Sequence, residues 1–181
     1  PTRRFSDLGA TSAWASGFTG SGQSVAILDT GVEKTHSFLA GKIISEACYS
    51  SNSSTSTSVC PGGVTESTAS GSGVNCPPSV VGCDHGTHVA GIAAGKNASF
   101  SGVARDANII AVQVFSRVTS QTACGNTQPC ALASNSDIVK GLERVFALRN
   151  TFNIAAVNLS LGGGRYFSTC DSDNPSMTAA I

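Results

Sequence analysis

Apolar residues in this chain collect into three short, largely unbroken runs: Val25 to Leu28, Ala107 to Phe115 (ANIIAVQVF) and Ile154 to Leu161. Runs of this length, rich in Val and Ile and with little polar alternation, predict parallel strands buried on both faces. Between the second and third runs the period changes. Ile138, Leu142, Val145, Phe146 and Leu148 fall on one stripe of a helix over Asp137 to Asn150, with Ser134 or Ser136 as its cap. Arg144 and Arg149 lie toward its end, where the helix dipole favours cations. Leu8, Ala10, Ala13 and Trp14 predict a shorter amphipathic helix within Phe5 to Gly17, stopped by the glycine. Strands alternating with helices describe right-handed βαβ units on a parallel sheet, an α/β fold.

One helix departs from the amphipathic pattern. DHGTHVAGIAAG, Asp84 to Gly95, is built almost wholly of small residues, with Asp84 placed to cap it and Gly95 to end it, a narrow rod able to lie close on a sheet. His85, in its first turn, feels the positive end of the helix dipole, which favours the neutral, proton-accepting ring. The imidazolium formed when such a base takes a proton needs a carboxylate to hold it. Asp29 closes the first apolar run at the carboxyl edge where open α/β sheets place their chemistry, and Gly31 frees the turn after it. A metal reading of His85 and His88 fails on Gly86, which stands where a zinc-peptidase helix carries its glutamate. His88 is expected to be a hydrogen-bonded structural residue near the sheet.

From Ser45 to Gly82 apolar periodicity gives way to Ser, Thr, Gly, Pro and Asn, a composition that by itself reads as linker. Cys48, Cys60, Cys76 and Cys83 divide it, and two bridges would let so poorly cored a segment persist. Four cysteines allow three connectivities; the nested one, Cys48 with Cys83 and Cys60 with Cys76, is favoured because it also braces the start of the histidine helix. Cys124 and Cys130 are close enough in sequence to bridge each other, which leaves Cys170 over from seven cysteines. Disulfides point to an oxidising compartment, extracellular or periplasmic. The chain of 181 residues suits one domain with a sizeable core. Eleven basic and eleven acidic residues balance, without a basic block for nucleic acid or an anionic membrane. No apolar run reaches the length of a membrane span, and Pro1 reads as a processed start.

AILDTG, DHGTHVAGIAAG and VNLSLGGG stand in this order on strand end, helix start and strand end. Together they resemble the subtilisin-like serine peptidases, the subtilases, over roughly Val25 to Gly163. The resemblance implies a three-layer α/β/α domain with a mainly parallel sheet, interrupted by a Cys-rich insertion at about residues 45–83. It implies a secreted endopeptidase, made as a zymogen, that hydrolyses peptide bonds in proteins. Asp29 would be the catalytic aspartate and His85 the general base. Ser160, Leu161 and Gly162 would pair with an extended peptide substrate, whose other edge would meet the region of Ala131 to Ser134. No cofactor is needed for that chemistry. Structural calcium is common in the family, and no acidic cluster here locates a site.

The resemblance also has a gap. Subtilases carry their nucleophilic serine in a Gly-Thr-Ser-Met-Ala segment, after an asparagine that completes the oxyanion hole, and neither is present. Ser176 and Met177 echo the motif, but Gly and Thr do not precede them; Asn174 and Pro175 start a further helix instead. The expectation is therefore a partial catalytic domain, residues 1–181, incomplete at its C-terminal end. It should be inactive alone and associate with the missing C-terminal part of the same protease, or with another copy, to cover its open sheet. The leftover Cys170 fits a partner further along, an intermolecular bridge or a free thiol. A catalytically inactive peptide-binding module is one alternative. Another is an aspartic peptidase built on the Asp-Thr-Gly at Asp29, which needs a second carboxylate. Asn52, Asn97 and Asn158 each open an Asn-x-Ser sequon, the last in a core strand.

Overall fold

The computed structural model describes residues 9–163 and 167–181. In chain order its elements are α1 (Ala10–Ala15), β1 (Ser24–Asp29), β2 (Ile43–Tyr49), β3 (Ser56–Ser58), β4 (Glu66–Ser67) and α2 (His85–Ala94). They continue with β5 (Asn108–Gln113), β6 (Phe115–Val118), α3 (Gln121–Cys124), β7 (Cys130–Ala133), α4 (Asn135–Ala147), β8 (Ile154–Asn158) and α5 (Pro175–Ala180). The main sheet runs β4-β2-β5-β1-β8, parallel throughout except for the short edge strand β4. A second, antiparallel sheet orders β3-β6-β7.

Burial follows the strand alternation. On one face Ala26, Leu28, Ala47, Ile110 and Val112 meet Ile138, Val145 and Leu148 of the long helix α4 and its end. On the other, Ile27, Ile109 and Ala111 meet Ala90 and Ala94 of α2. The first two unbroken apolar runs are thus central strands covered twice, and the three layers follow; the third run, β8, was expected to be buried likewise but lies at the sheet edge with Ala155, Ala156 and Val157 exposed. Of the two candidate caps for α4, Ser134 serves: its Oγ accepts the Asp137 N–H. Asp137 is itself buried and accepts Ser51 N–H at 2.9 Å, Ser51 Oγ–H at 2.7 Å and Ser134 Oγ–H at 2.8 Å. That carboxylate ties the inserted segment to the helix start. Near the N-terminus, Trp14 donates its indole N–H to Val103 O at 2.8 Å and carries the Arg105 guanidinium over its ring. Phe5 and Leu8 of the expected first helix lie outside the described residues.

Several expectations are corrected. β2 starts at Ile43 and runs on into the segment expected to be a loop, as far as Tyr49, pairing in parallel with β5. Its Ser45 and Glu46 disguised it; Glu46 is buried because Lys34 Nζ lies 2.8 Å from its carboxylate and Gly71 N–H donates to the same oxygen at 2.7 Å. The second apolar run does not continue as one strand through Phe115, since β5 ends at Gln113 and β6 starts the small sheet. The third strand ends at Asn158, short of Leu161.

The favoured disulfide nesting is wrong. Cys48 joins Cys60 and Cys76 joins Cys83, while Cys124 joins Cys130 as expected. Thr30 explains the local pairing, because its carbonyl accepts Cys76 N–H at 3.1 Å and its hydroxyl donates to Cys83 O at 3.3 Å. One residue beyond the carboxyl end of β1 thus gathers both cysteines. Cys48, on β2, joins Cys60, which lies two residues beyond the end of β3, the strand paired with β6.

Candidate active site

Asp29 ends β1 and is completely buried, whereas the His85 side chain at the start of α2 is half exposed. The two meet over the carboxyl edge of the sheet. His85 Nδ1 lies 2.8 Å from Asp29 Oδ1 and 3.0 Å from Oδ2. An ionised carboxylate only accepts, so Nδ1 carries the proton and Nε2 is left as the bare, accepting nitrogen. Asp29 Oδ1 also accepts the Thr30 N–H at 2.7 Å. The ring is therefore aimed and its tautomer set by a group that solvent does not reach.

The close approach of α2 to β1 depends on two residues beside the pair. Gly86 N–H donates to Thr30 Oγ1 at 2.9 Å, so the hydroxyl that reaches Cys83 O also satisfies a first-turn amide of the helix. A Cβ at Gly86 would lie 2.3 Å from Gly31 O and 3.1 Å from Asp29 Oδ1. Gly31 in turn has φ 88° and sits under Val74, whose carbonyl oxygen would be 2.1 Å from a Cβ there. Small residues at both positions are the condition for the histidine to reach the aspartate. Asp84 does not cap the helix as expected; it makes no side-chain cap bond, and Thr30 has taken that work. His88 is also misjudged. It is on the exposed face of α2, its Nδ1 4.0 Å from the exposed Asp84 carboxylate, because the face of the helix that meets the sheet is the one that carries Gly86, Ala90, Gly91 and Ala94.

Ser160, Leu161 and Gly162 follow β8 and line the same cleft as His85, a space of ≈ 920 Å³. Its other wall is Ala131, Leu132 and Ala133 of β7, with Gly82, Phe115 and Ile138 between. β6 pairs with one edge of β7. On the other edge Ala131 N–H donates to Val81 O at 3.0 Å, and the strand alternation turns the N–H and C=O of Ala133 to that same open side. Among the described residues nothing lies within 4 Å of a Cβ built on Gly162, and Ser160 Oγ donates back to Asn158 Oδ1 at 2.9 Å. Asn174 and Pro175 do begin a helix, α5, with Met177 and Thr178 facing the cleft. Cys170 is the free cysteine among the described residues and also lines it. The group facing Asp29 is an imidazole, not the second carboxylate that the aspartic-peptidase alternative needs.

Sequence reading missed Thr30, Gly82, Phe115 and the Val81 contact. Thr30 is visible only as the middle of Asp-Thr-Gly, and its triple role depends on loops that return from residues 76–86. Phe115 sits in an apolar run that reads as core.

Known proteins similar to this chain are proteases. The model described as "Subtilase family" matches residues 20–181. The chain is 32% identical over 155 residues to the minor extracellular protease Vpr of Bacillus subtilis (strain 168), covering 86% of this chain and 16% of that protein. It is 28% identical over 152 residues to the alkaline serine exoprotease A of Vibrio alginolyticus, covering 84% of this chain and 21% of the other. With thermitase of Thermoactinomyces vulgaris it shares 35% identity over 106 residues, 57% of this chain and 30% of thermitase. The chain thus spans between 16% and 30% of the length of these relatives. Among solved structures, the CspB protease of Clostridium perfringens shares the fold with a TM-score of 0.54 at 24% identity, over 86% of this chain and 33% of that one. A family match running from the turn before β1 to the end of α5, on a parallel sheet that sets His85 against Asp29, leaves one conclusion: the chain belongs to the subtilase family.

Proposed function

We propose that this chain supplies the aspartate and histidine of an Asp/His/Ser triad in a secreted serine endopeptidase, the serine coming from polypeptide outside residues 1–181. The observation that carries the reading is the 2.8 Å contact of His85 Nδ1 with the buried Asp29 carboxylate, at the edge of a cleft that also holds Ser160 to Gly162. In acyl transfer the serine hydroxyl attacks a peptide carbonyl as its proton passes to His85 Nε2. His85 then returns that proton to the leaving amine, and the sequence repeats with water. Asp29 holds the ring and stabilises the imidazolium without taking the proton.

The substrate lies extended between two edges, β7 on one side and Ser160 to Gly162 on the other, in the manner of an added strand. The glycines leave room for its side chains. Secretion is supported by the three disulfides and by the word extracellular in a relative's name. The exposed β8, with Ala155, Ala156 and Val157 open on the sheet edge, fits association with the remainder of the same protease.

Labelling with a serine-reactive fluorophosphonate tests the reading. The full-length protein should label at a serine beyond Ile181 and lose both label and turnover in His85→Ala. The 1–181 chain should neither label nor hydrolyse peptides; a label on any of its residues overturns the assignment. Peptide binding with no label on the full-length protein would establish instead the inactive peptide-binding module.

A further inference from the structure

Gln113 is fully buried, yet it is not part of the apolar core. It ends β5 and is the register partner of Asp29 across the β1·β5 ladder, and of Cys48 across β2·β5. Register partners in a parallel sheet point to the same face. Asp29 and Gln113 therefore stand side by side beneath α2, under the loop that carries Gly73 and Val74; a Cβ on Gly73 would lie 2.5 Å from Ala111 O, two residues before Gln113. The Phe115 N–H donates to Gln113 Oε1, which fixes the orientation of the amide. Its Nε2 has no partner among the described residues. A buried amide donor left unmade is destabilising, so a strand-end position that keeps one points to a partner. The neighbouring carboxylate has spare acceptor capacity. Asp29 receives the Thr30 N–H and the His85 Nδ1–H, and a carboxylate offers about four lone-pair positions.

We infer that Gln113 is a positioning residue for Asp29, its amide Nε2–H donating through one buried water to the carboxylate that holds His85. The inference rests on the Asp29–His85 reading proposed above. A third donor fixes the plane of the carboxylate and shares its charge, and both effects pass to the imidazole. Glutamine suits the place because it donates without adding a charge. Lysine would neutralise the carboxylate, and glutamate would oppose it. The other titratable groups on the packed elements are set apart from this contact. Asp84 and His88 are exposed on α2, Glu46 on β2 is engaged by Lys34, and Glu33 gives its backbone N–H to Thr87 on the exposed side.

The test is the pH dependence of kcat/KM for the full-length protein carrying Gln113→Met, which keeps the volume and removes the donor together with the acceptor of the Phe115 N–H, and carrying Gln113→Glu, which keeps that acceptor. Turnover should fall about tenfold or more with KM little changed, a loss confined to the transition state. The acid limb should move to higher pH, because a carboxylate with one donor fewer holds the imidazolium more tightly. Gln113→Glu should move that limb further in the same direction, since a second negative charge also favours imidazolium. If Gln113→Glu does not fold, the methionine variant with an unchanged melting temperature carries the decision. A kcat and acid limb that match wild type in Gln113→Met overturn the inference. Retention of turnover in His85→Ala would instead overturn the reading on which it rests, so the two failures are distinguishable.

Discussion

Gly86→Ala puts the geometry of the pair to a quantitative test. One methyl group is added, and its carbon would fall 2.3 Å from Gly31 O and 3.1 Å from Asp29 Cβ. Non-bonded heavy atoms rest near about 3.5 Å, so roughly 1 Å of separation has to be found between α2 and β1. Gly31 cannot retreat, since Val74 lies against it from the other side. The helix start must lift instead, and His85 lifts with it. A 2.8 Å hydrogen bond stretched by that amount is no longer one. Overpacking of this kind costs about 1–3 kcal/mol of stability, and a 1 Å misplacement of a catalytic group costs about 100-fold in rate. At about 2–4 °C per kcal/mol for a domain of this size, the melting temperature should fall by roughly 2–12 °C. The assay is kcat/KM of the full-length protein on a peptide substrate, with calorimetry on the same samples. Wild-type turnover together with a wild-type melting temperature would refute the reasoning, because the methyl would then have been accommodated without moving the pair.

Gly162→Ala is the converse: with no described residue within 4 Å of the new carbon, melting should be unchanged while KM for peptides rises, as steady-state kinetics would show. Asp137→Ala leaves Ser51 N–H and Ser134 Oγ–H without their charged acceptor; denaturant titration should show a loss of about 3 kcal/mol or more, and Asp137→Asn a smaller one. Replacing both Cys76 and Cys83 by Ser opens a loop of sequence separation 7, worth about 2–3 kcal/mol by chain entropy in the same titration. Asp106 is held below the usual carboxylate range by the hydrogen bond from Lys96 and then by Thr19. Its folded pKa is depressed, so its contribution is complete above the unfolded value of about 3.9 and is lost as pH falls through the folded one. The bridge is partly exposed, so Asp106→Asn should remove less than about 1 kcal/mol of that acid dependence in thermal melts at low salt.

The twice-covered strands and α4 could be read from the sequence because an unbroken apolar run and a 3.6-residue stripe each leave few arrangements open. β2 could not. Its Ser45 and Glu46 are polar residues made tolerable inside by Lys34 and the Gly71 amide, partners that lie 12 and 25 residues away. The disulfide pairing was equally hidden, since spacing says which cysteines are near in sequence while Thr30 decides which are brought together.

The places of Asp29 at a strand end and of His85 at the mouth of a small-residue helix were legible in the sequence alone, since an apolar run and a run of small residues are local patterns. Their meeting at 2.8 Å was decided by the tertiary structure. It required Gly86 against Gly31, Thr30 bridging strand to helix, and the loop of Val74 over both. Burial of Gln113 beside Asp29 was decided there too. Side-chain identity sets what a group can donate or accept. Which group it faces depends on contacts between segments far apart in the chain, and those exist only once the sheet has assembled.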